Sequence, residues 1–375
     1  MKYDVAIVGS GILGLSHAYA AAEKGLKVLL LERDQMPRGA SIQNFGFAMQ
    51  LGQAPGEMLE LAKTSREIWQ HFAKEAQFDS FQQGSLLFAR NELEASLLES
   101  FYETRGKSQY PCQLLTEKEI ALLYQGQFSH FKRALHGTED QVIYSREAIL
   151  QLAKWIAEHP NVTAHYKTLV YEIDPDKGLL KSSQGNFTAN HIFVCCGHDY
   201  QTLFAKEIAA LNPIVCRLQM LRATPTHDIQ LQHALFTGLS CLHYDAFAGL
   251  PEIKALQEKV VSETPLLDQY KIHLLITPTP YGDLIIGDSH DYHEEVLPFN
   301  NAKIDQLIQS LAEEVLEQKI MIKERWQGVY GAKGEEPISI LTPSDKVSIV
   351  LMRTGLGMSV GPALGLKNIS QYLNH

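Results

Sequence analysis

Gly9, Gly11 and Gly14 stand in the spacing Gly-x-Gly-x-x-Gly, and Glu32 follows the last of them by eighteen residues. That combination suits a dinucleotide. The first glycine permits a tight turn, the second lets the backbone approach a pyrophosphate, and the third lets a helix pack closely on a strand. The pyrophosphate then meets the free N–H groups that open the helix, here those of Ile12 and Leu13, where the helix dipole also favours negative charge. An acid about 20 residues further on receives ribose hydroxyls. Glu32, with Arg33 beside it, stands at that distance.

Glycine-rich turns are common, so the surrounding elements decide. Asp4–Val8 reads as a buried strand, Leu15–Lys24 as an alanine-rich helix stopped by Gly25, and Lys27–Leu31 as a second apolar strand ending at Glu32. A glycine just past a helix end is a common stop, and two buried strands joined by a helix form a parallel, right-handed unit. The motif therefore falls between strand and helix, where its mechanism needs it.

Other groups carry weaker signals. No Ser/His/Asp, Cys/His or metal-ligand spacing stands out along the chain. His290-Asp291-Tyr292-His293 has ligand-type residues, but the sequence shows no matching cluster elsewhere, so no metal is expected. Cys195 and Cys196 lie on an apolar strand, His191–Gly197, and read as small hydrophobes rather than a redox pair. Successive strand residues point to opposite faces, which argues against a disulfide between them. With no metal-type Cys-x-x-Cys among five cysteines, a reduced, cytoplasmic protein is expected.

The remaining elements must carry these residues. Helices are expected over 58–76, 93–107, 117–123, 146–159 and 304–316, and strands near 84–89, 162–174, 191–196 and 347–352. Residues 213–224 and 273–287 look like longer strands of an antiparallel sheet. Two textures alternate, which predicts an α/β protein of two interleaved parts. A mostly parallel dinucleotide-binding domain takes residues 1–80, 141–214 and 326–375. An antiparallel-sheet substrate domain takes 81–140 and 215–325. The chain has 375 residues, 45% of them hydrophobic and 20% charged, which suits a sizeable core. A net charge of −10 argues against nucleic acid or an anionic membrane as the main partner. No apolar run reaches the roughly 18–20 residues of a membrane span, and no leader precedes the first strand. Self-association is left open.

The opening Asp4–Ser16, followed by Leu31-Glu32-Arg33, resembles the D-amino acid oxidase family of flavoproteins, which includes glycine oxidase and sarcosine oxidase. The likeness continues along the chain. Thr168-Leu169-Val170 resembles a strand whose valine backbone meets the adenine, and Phe193–Gly197 resembles the second cofactor strand, which brings Cys196 and Gly197 to the dinucleotide. Ser41-Ile42-Gln43-Asn44-Phe45-Gly46-Phe47 falls where the family threads a loop past pyrophosphate and flavin ring, with Ser41 and Asn44 as polar contacts and Gly46 admitting the ring. Arg325-Trp326-Gln327-Gly328 resembles the family's Trp-x-Gly segment. Arg353-Thr354-Gly355-Leu356-Gly357-Met358 resembles the loop that closes over the flavin, where N–H groups at Gly355 and Gly357 would stabilise the negative charge of the reduced ring. The resemblance thus implies a glutathione-reductase-like FAD domain of Rossmann type, with FAD bound without a covalent link because no cysteine follows Cys241.

It also implies an activity: hydride transfer from an amine to the flavin, hydrolysis of the imine by water, and reoxidation by oxygen. The protein's share is orientation and electrostatics, so no acid or base residue is required. One departure bears on substrate. Where glycine oxidase and D-amino acid oxidase carry a carboxylate-binding arginine, this chain has Tyr330, and tyrosine cannot offer a charged fork of donors. Asn44-Phe45-Gly46, Leu218–Leu221, Gly287–His290 and Arg325–Tyr330 resemble a bacterial branch associated with aminophosphonate use. On that reading the substrate is a small anionic primary or secondary amine, such as N-methyl-aminoethylphosphonate, met by Arg353, Tyr330, His290 and Lys333. The alternatives kept open are a glycine, sarcosine or D-amino acid oxidase, a dehydrogenase with a non-oxygen acceptor, and an FAD subunit without turnover of its own.

Overall fold

The computed structural model describes residues 2–332, 334 and 336–374. The first strand, Lys2–Val8, pairs in parallel with Val28–Leu31 on one side and Gly185–Val194 on the other. Val28–Leu31 pairs in turn with Val162–His165. The long Gly185–Val194 strand forks its sheet: its first half takes Leu179–Ser182 antiparallel, and its last three residues take Val347–Met352 parallel. Val5, Ile7, Leu29 and Leu30 are buried on both faces, so these strands read as continuous apolar runs rather than alternating ones.

Helix Ile12–Glu23 covers one face of this sheet, buried nearly all round. Its alanines and serine allow a second helix, Gly357–Leu373, to lie directly on it. A Cβ on Gly365 would stand 2.6 Å from the carbonyl carbon of Ser16, so only glycine permits that approach. The second helix is tied at its start from three directions: Met49 N–H donates to Ser359 Oγ, Trp69 Nε1–H to the Met358 carbonyl, and Ala363 N–H to Ser65 Oγ. Trp69 comes from helix Glu57–Ala76 and is fully buried.

The other large sheet is mainly antiparallel. Ile214–Pro225 is its spine, paired along its whole length with Ile320–Ala332 and on its other edge with Leu284–Gly287 and Asp291–His293. Leu275–Pro278, Ala234–Thr237, Ser85–Phe88, Arg133–Gly137 and Cys112–Thr116 extend it. Helix Ala302–Leu316 packs on the spine through Ile308, Leu311 and Val315. The expected domain boundary at 325–326 falls inside the Ile320–Ala332 strand, which pairs wholly in this sheet. The expected helix over 93–107 ends regularly at Phe101 and continues as a wider π turn over Tyr102–Gly106. Among the described residues no helix is long and apolar enough to cross a membrane.

Candidate active site

A cavity of about 540 Å³ opens between the two sheets, lined from Gly9 and Glu32 at one end to His273 and Tyr330 at the other. The glycine turn forms its first wall. Gly9 has φ +101°, and a Cβ there would meet the Cys195 carbonyl oxygen at 2.5 Å; one on Gly14 would collide with the Gly9 carbonyl oxygen at 1.8 Å. Both glycines serve chain packing. Gly11 is different, because a Cβ there would meet only Ser41 Oγ, at 3.1 Å, and would otherwise project into open space. Ser41 Oγ accepts the Ile12 N–H at 2.9 Å and so already stands at the helix start. Glu32 is buried and fixed: Oε2 accepts both the N–H and the hydroxyl of Ser10 at 2.8 Å, and Oε1 accepts the Asp34 N–H at 3.0 Å.

Thr168, Leu169 and Val170 line the same end, with Cys196 and Gly197 opposite. The cysteines are free, and burial pushes the Cys196 thiol up to about 12, so it is a neutral thiol at ordinary pH. Arg33 lines the cavity with its guanidinium on Asp199, Nη1 to Oδ2 at 2.6 Å.

The 41–47 loop divides in two. Ser41, Gln43, Asn44 and Phe45 line the cavity, whereas Gly46 and Phe47 do not. A Cβ on Gly46 would stand 1.7 Å from the Ile143 carbonyl oxygen, so this glycine admits a neighbouring strand rather than a ring. Phe47 turns away to Phe236. Asn44 spends its amide on its own loop: Nδ2 donates to the Ala40 carbonyl and Oδ1 accepts the Gly46 N–H. Trp326 and Gly328 pack on the loop, Gly328 as part of the cavity wall and Trp326 with Nε1 donating to the Gln43 carbonyl at 3.0 Å.

Gly355, Gly357 and Met358 line the cavity and lead into the Gly357–Leu373 helix. The sequence reading expected only a loop here. A second helix N-terminus thus converges on the cavity beside that of Ile12–Glu23, and free N–H groups at both suit negative charge.

At the far end Tyr330 is a cross-strand neighbour of Cys216, which in turn faces Tyr292. Burial pushes the Tyr330 phenol well up, so it acts only as a neutral donor or wall. Arg353 is buried, lines the cavity, and donates from Nη2 to the Leu211 carbonyl at 2.8 Å. A Cβ on Gly334 would lie 2.3 Å from its guanidinium carbon, so the chain at 334 packs directly on the charge. Lys333 lies outside the described residues. His290 does line the cavity, and the structure supplies what the sequence hid: His243 and His273, from segments 47 and 17 residues upstream, meet it there, with Asp288 alongside. A spaced cluster of this kind leaves no linear motif.

Residues 4–367 match the family described as "FAD dependent oxidoreductase". The chain belongs to that family. Among curated relatives it is similar to the monomeric sarcosine oxidases of Bacillus sp. strain B-0618 and Arthrobacter sp. strain TE1826. Each is 25% identical over 211 residues, 54% of this chain. The match spans about half the length of those relatives, 53% and 54%. Among solved structures, glycine oxidase from Geobacillus kaustophilus superposes with a TM-score of 0.77 at 18% identity, covering 100% of this chain and 95% of that one. The FAD-bound L-alpha-glycerophosphate oxidase of Mycoplasma pneumoniae gives 0.76 at 18%, with 100% and 95% covered. At such identities the superpositions speak for the fold alone: an α/β FAD-binding architecture with a second, antiparallel sheet.

The residues present fit the family's cofactor. The open space over Gly11, two converging helix N-termini and a pre-oriented carboxylate at Glu32 suit a pyrophosphate, a ring edge and a ribose respectively. FAD supplies a two-electron acceptor. Glu32→Ala is expected to weaken FAD binding by about 1.5–3 kcal/mol, the worth of a charged hydrogen bond. Titration of the apoprotein followed by flavin fluorescence measures it, and unchanged affinity would remove Glu32 from the site.

Proposed function

We propose that this chain oxidises a small anionic primary or secondary amine, with FAD held non-covalently as the hydride acceptor and oxygen as the terminal one. The parallel sheet and its helices, within 1–80, 141–214 and 326–375, serve the cofactor, apart from residues 326–332, which pair in the antiparallel sheet and serve the substrate with the remainder. The observation that carries the substrate reading is the half-buried Tyr330 on the cavity wall, its phenol held neutral. Relatives named for sarcosine and glycine place small amino acids among the family's substrates, and a neutral phenol at this position is poorly suited to pairing with a carboxylate. An aminophosphonate such as N-methyl-aminoethylphosphonate fits better, its tetrahedral anion taking donors from Arg353, His290 and Tyr330, with Lys333 as a further candidate. A panel of amines and aminophosphonates, read by flavin bleaching and by peroxide release, tests this. Bleaching without peroxide would retain the amine and replace oxygen by another acceptor. The similarity to sarcosine oxidase favours a second reading, plain sarcosine oxidation, which the same panel scores.

Non-covalent attachment has its own check. The two thiols at the dinucleotide end of the cavity, Cys195 and Cys196, are held neutral by burial, and no cysteine follows Cys241. Acid precipitation of the yellow protein is expected to leave all flavin absorbance in the supernatant. Colour retained by the pellet would contradict it.

A further inference from the structure

His243, His273 and His290 each present a ring nitrogen, all within 4.8 Å of one another. Two of the rings are already oriented. His273 is held through Nδ1 by Ser240 Oγ at 3.2 Å, and His290 through Nδ1 by the Lys271 carbonyl at 3.0 Å. Their Nε2 atoms therefore both face Asp288, but not as hydrogen bonds: the separations are 3.7 Å from His273 to Oδ1 and 3.6 Å from His290 to Oδ2. His273 Nε2 and Asp288 Oδ1 are buried and have no hydrogen-bond partner.

A buried polar pair that stops short of bonding leaves both groups desolvated without return. The spacing has a simple reading. Ligands at about 2.0–2.2 Å from a metal ion stand about 3.4 Å apart when tetrahedral, so 3.6–3.7 Å is the edge of a coordination shell slightly opened. The outer supports also match. Metal-binding histidines keep their second nitrogen on a carbonyl or hydroxyl, which fixes the tautomer and aims the free lone pair. We propose that His243, His273, His290 and Asp288 form a site for a divalent transition-metal ion of borderline softness, such as Zn²⁺, on the substrate side of the cavity.

His243 is the exposed member and lines the cavity, so its ring has space to turn inward and complete the shell. A fifth coordination position, to which such an ion can expand, would face the cavity, where an anionic oxygen of the substrate would fit. That last clause rests on the proposed amine substrate, whereas the metal site does not.

The test uses FAD-loaded protein, stripped with a chelator and titrated with Zn²⁺ alone against a competing chromophoric chelator, with metal content measured by mass spectrometry. One Zn²⁺ per chain is expected. His273→Gln and His243→Gln are each expected to weaken it on the order of 100-fold, at or beyond the upper end of the 10–100-fold worth of an outer-shell partner. His293→Gln, an exposed histidine on Asp291, is expected to leave it unchanged. His273 is buried, so the flavin spectrum of each variant reports whether the fold survives; His243→Gln carries the test if His273→Gln does not. Failure of wild-type protein to take up Zn²⁺ saturably would overturn the site, as would uptake that His243→Gln leaves intact. No substrate enters this measurement, so an error about the amine would not alter its outcome.

Discussion

Gly11→Val is expected to yield a folded protein that has lost nearly all its FAD. The three glycines of the turn are not equivalent, and the structure separates them. Side chains at 9 and 14 would drive into backbone carbonyl oxygens, at 2.5 and 1.8 Å, so substitutions there would break the strand–helix junction itself. At Gly11 the same addition meets only the Ser41 hydroxyl at 3.1 Å, which can rotate aside. Valine's branches would then fill the space in front of the Ile12 and Leu13 N–H groups. A pyrophosphate excluded from a helix N-terminus loses several charge-assisted hydrogen bonds, each worth about 1.5–3 kcal/mol, which together exceed a thousandfold in affinity. The flavin-to-protein absorbance ratio of dilute, desalted variant gives the result, with far-ultraviolet circular dichroism to show that the fold remains. A fully yellow Gly11→Val protein would put the cofactor elsewhere.

The cofactor end was legible because its signals are local. The strand, the turn, the helix and Glu32 lie within thirty-odd consecutive residues, and each glycine has a steric reason that a spacing can encode. The helix over Glu117–Leu123 and the strand over Val347–Met352 were equally plain from apolar periodicity. The Gly357–Leu373 helix was not, since Gly361, Pro362 and Gly365 argue against a helix by propensity. Those small residues are there because another helix lies against them: the Cβ that Gly365 lacks would strike Ser16. Tertiary packing overrode propensity. The Ile320–Ala332 strand was missed for the opposite reason, as the alternation of exposed and half-buried residues in its first half is weak until the Ile214–Pro225 strand is seen beside it. Gly46 was read as admitting a ring, and in fact it admits the Ile143 carbonyl; spacing shows that a glycine is needed but not which neighbour needs it. The histidine cluster was invisible because three segments of the antiparallel sheet and its loops deliver one ring each.

The second large effect concerns the charge on the substrate. Glycine and D-alanine are expected to be poor substrates, short of an aminoalkylphosphonate by about a thousandfold in kcat/KM, because a bidentate charged contact is worth several kcal/mol and Tyr330 cannot make it. Tyr330 is half-buried with its phenol held neutral, between Cys216 and the loop at Gly355, so no cation arises there at any working pH. On the proposed reading, the anion would draw on Arg353 and its neighbours. Arg353 has one nitrogen on the Leu211 carbonyl, and that anchor fixes the plane of the guanidinium. It also means that Arg353 braces the segment leading to Gly355 and Gly357. Arg353→Met could therefore slow every substrate through the cofactor loop. Comparing a phosphonate with an uncharged amine of equal length separates the two roles. A loss of a hundredfold or more confined to the phosphonate assigns the guanidinium to the substrate's anion. Equal losses for both would make Arg353 a support of the cofactor loop and leave the anion to the histidine side of the cavity. Brisk oxidation of glycine by the unaltered protein would return the substrate to a simple amino acid.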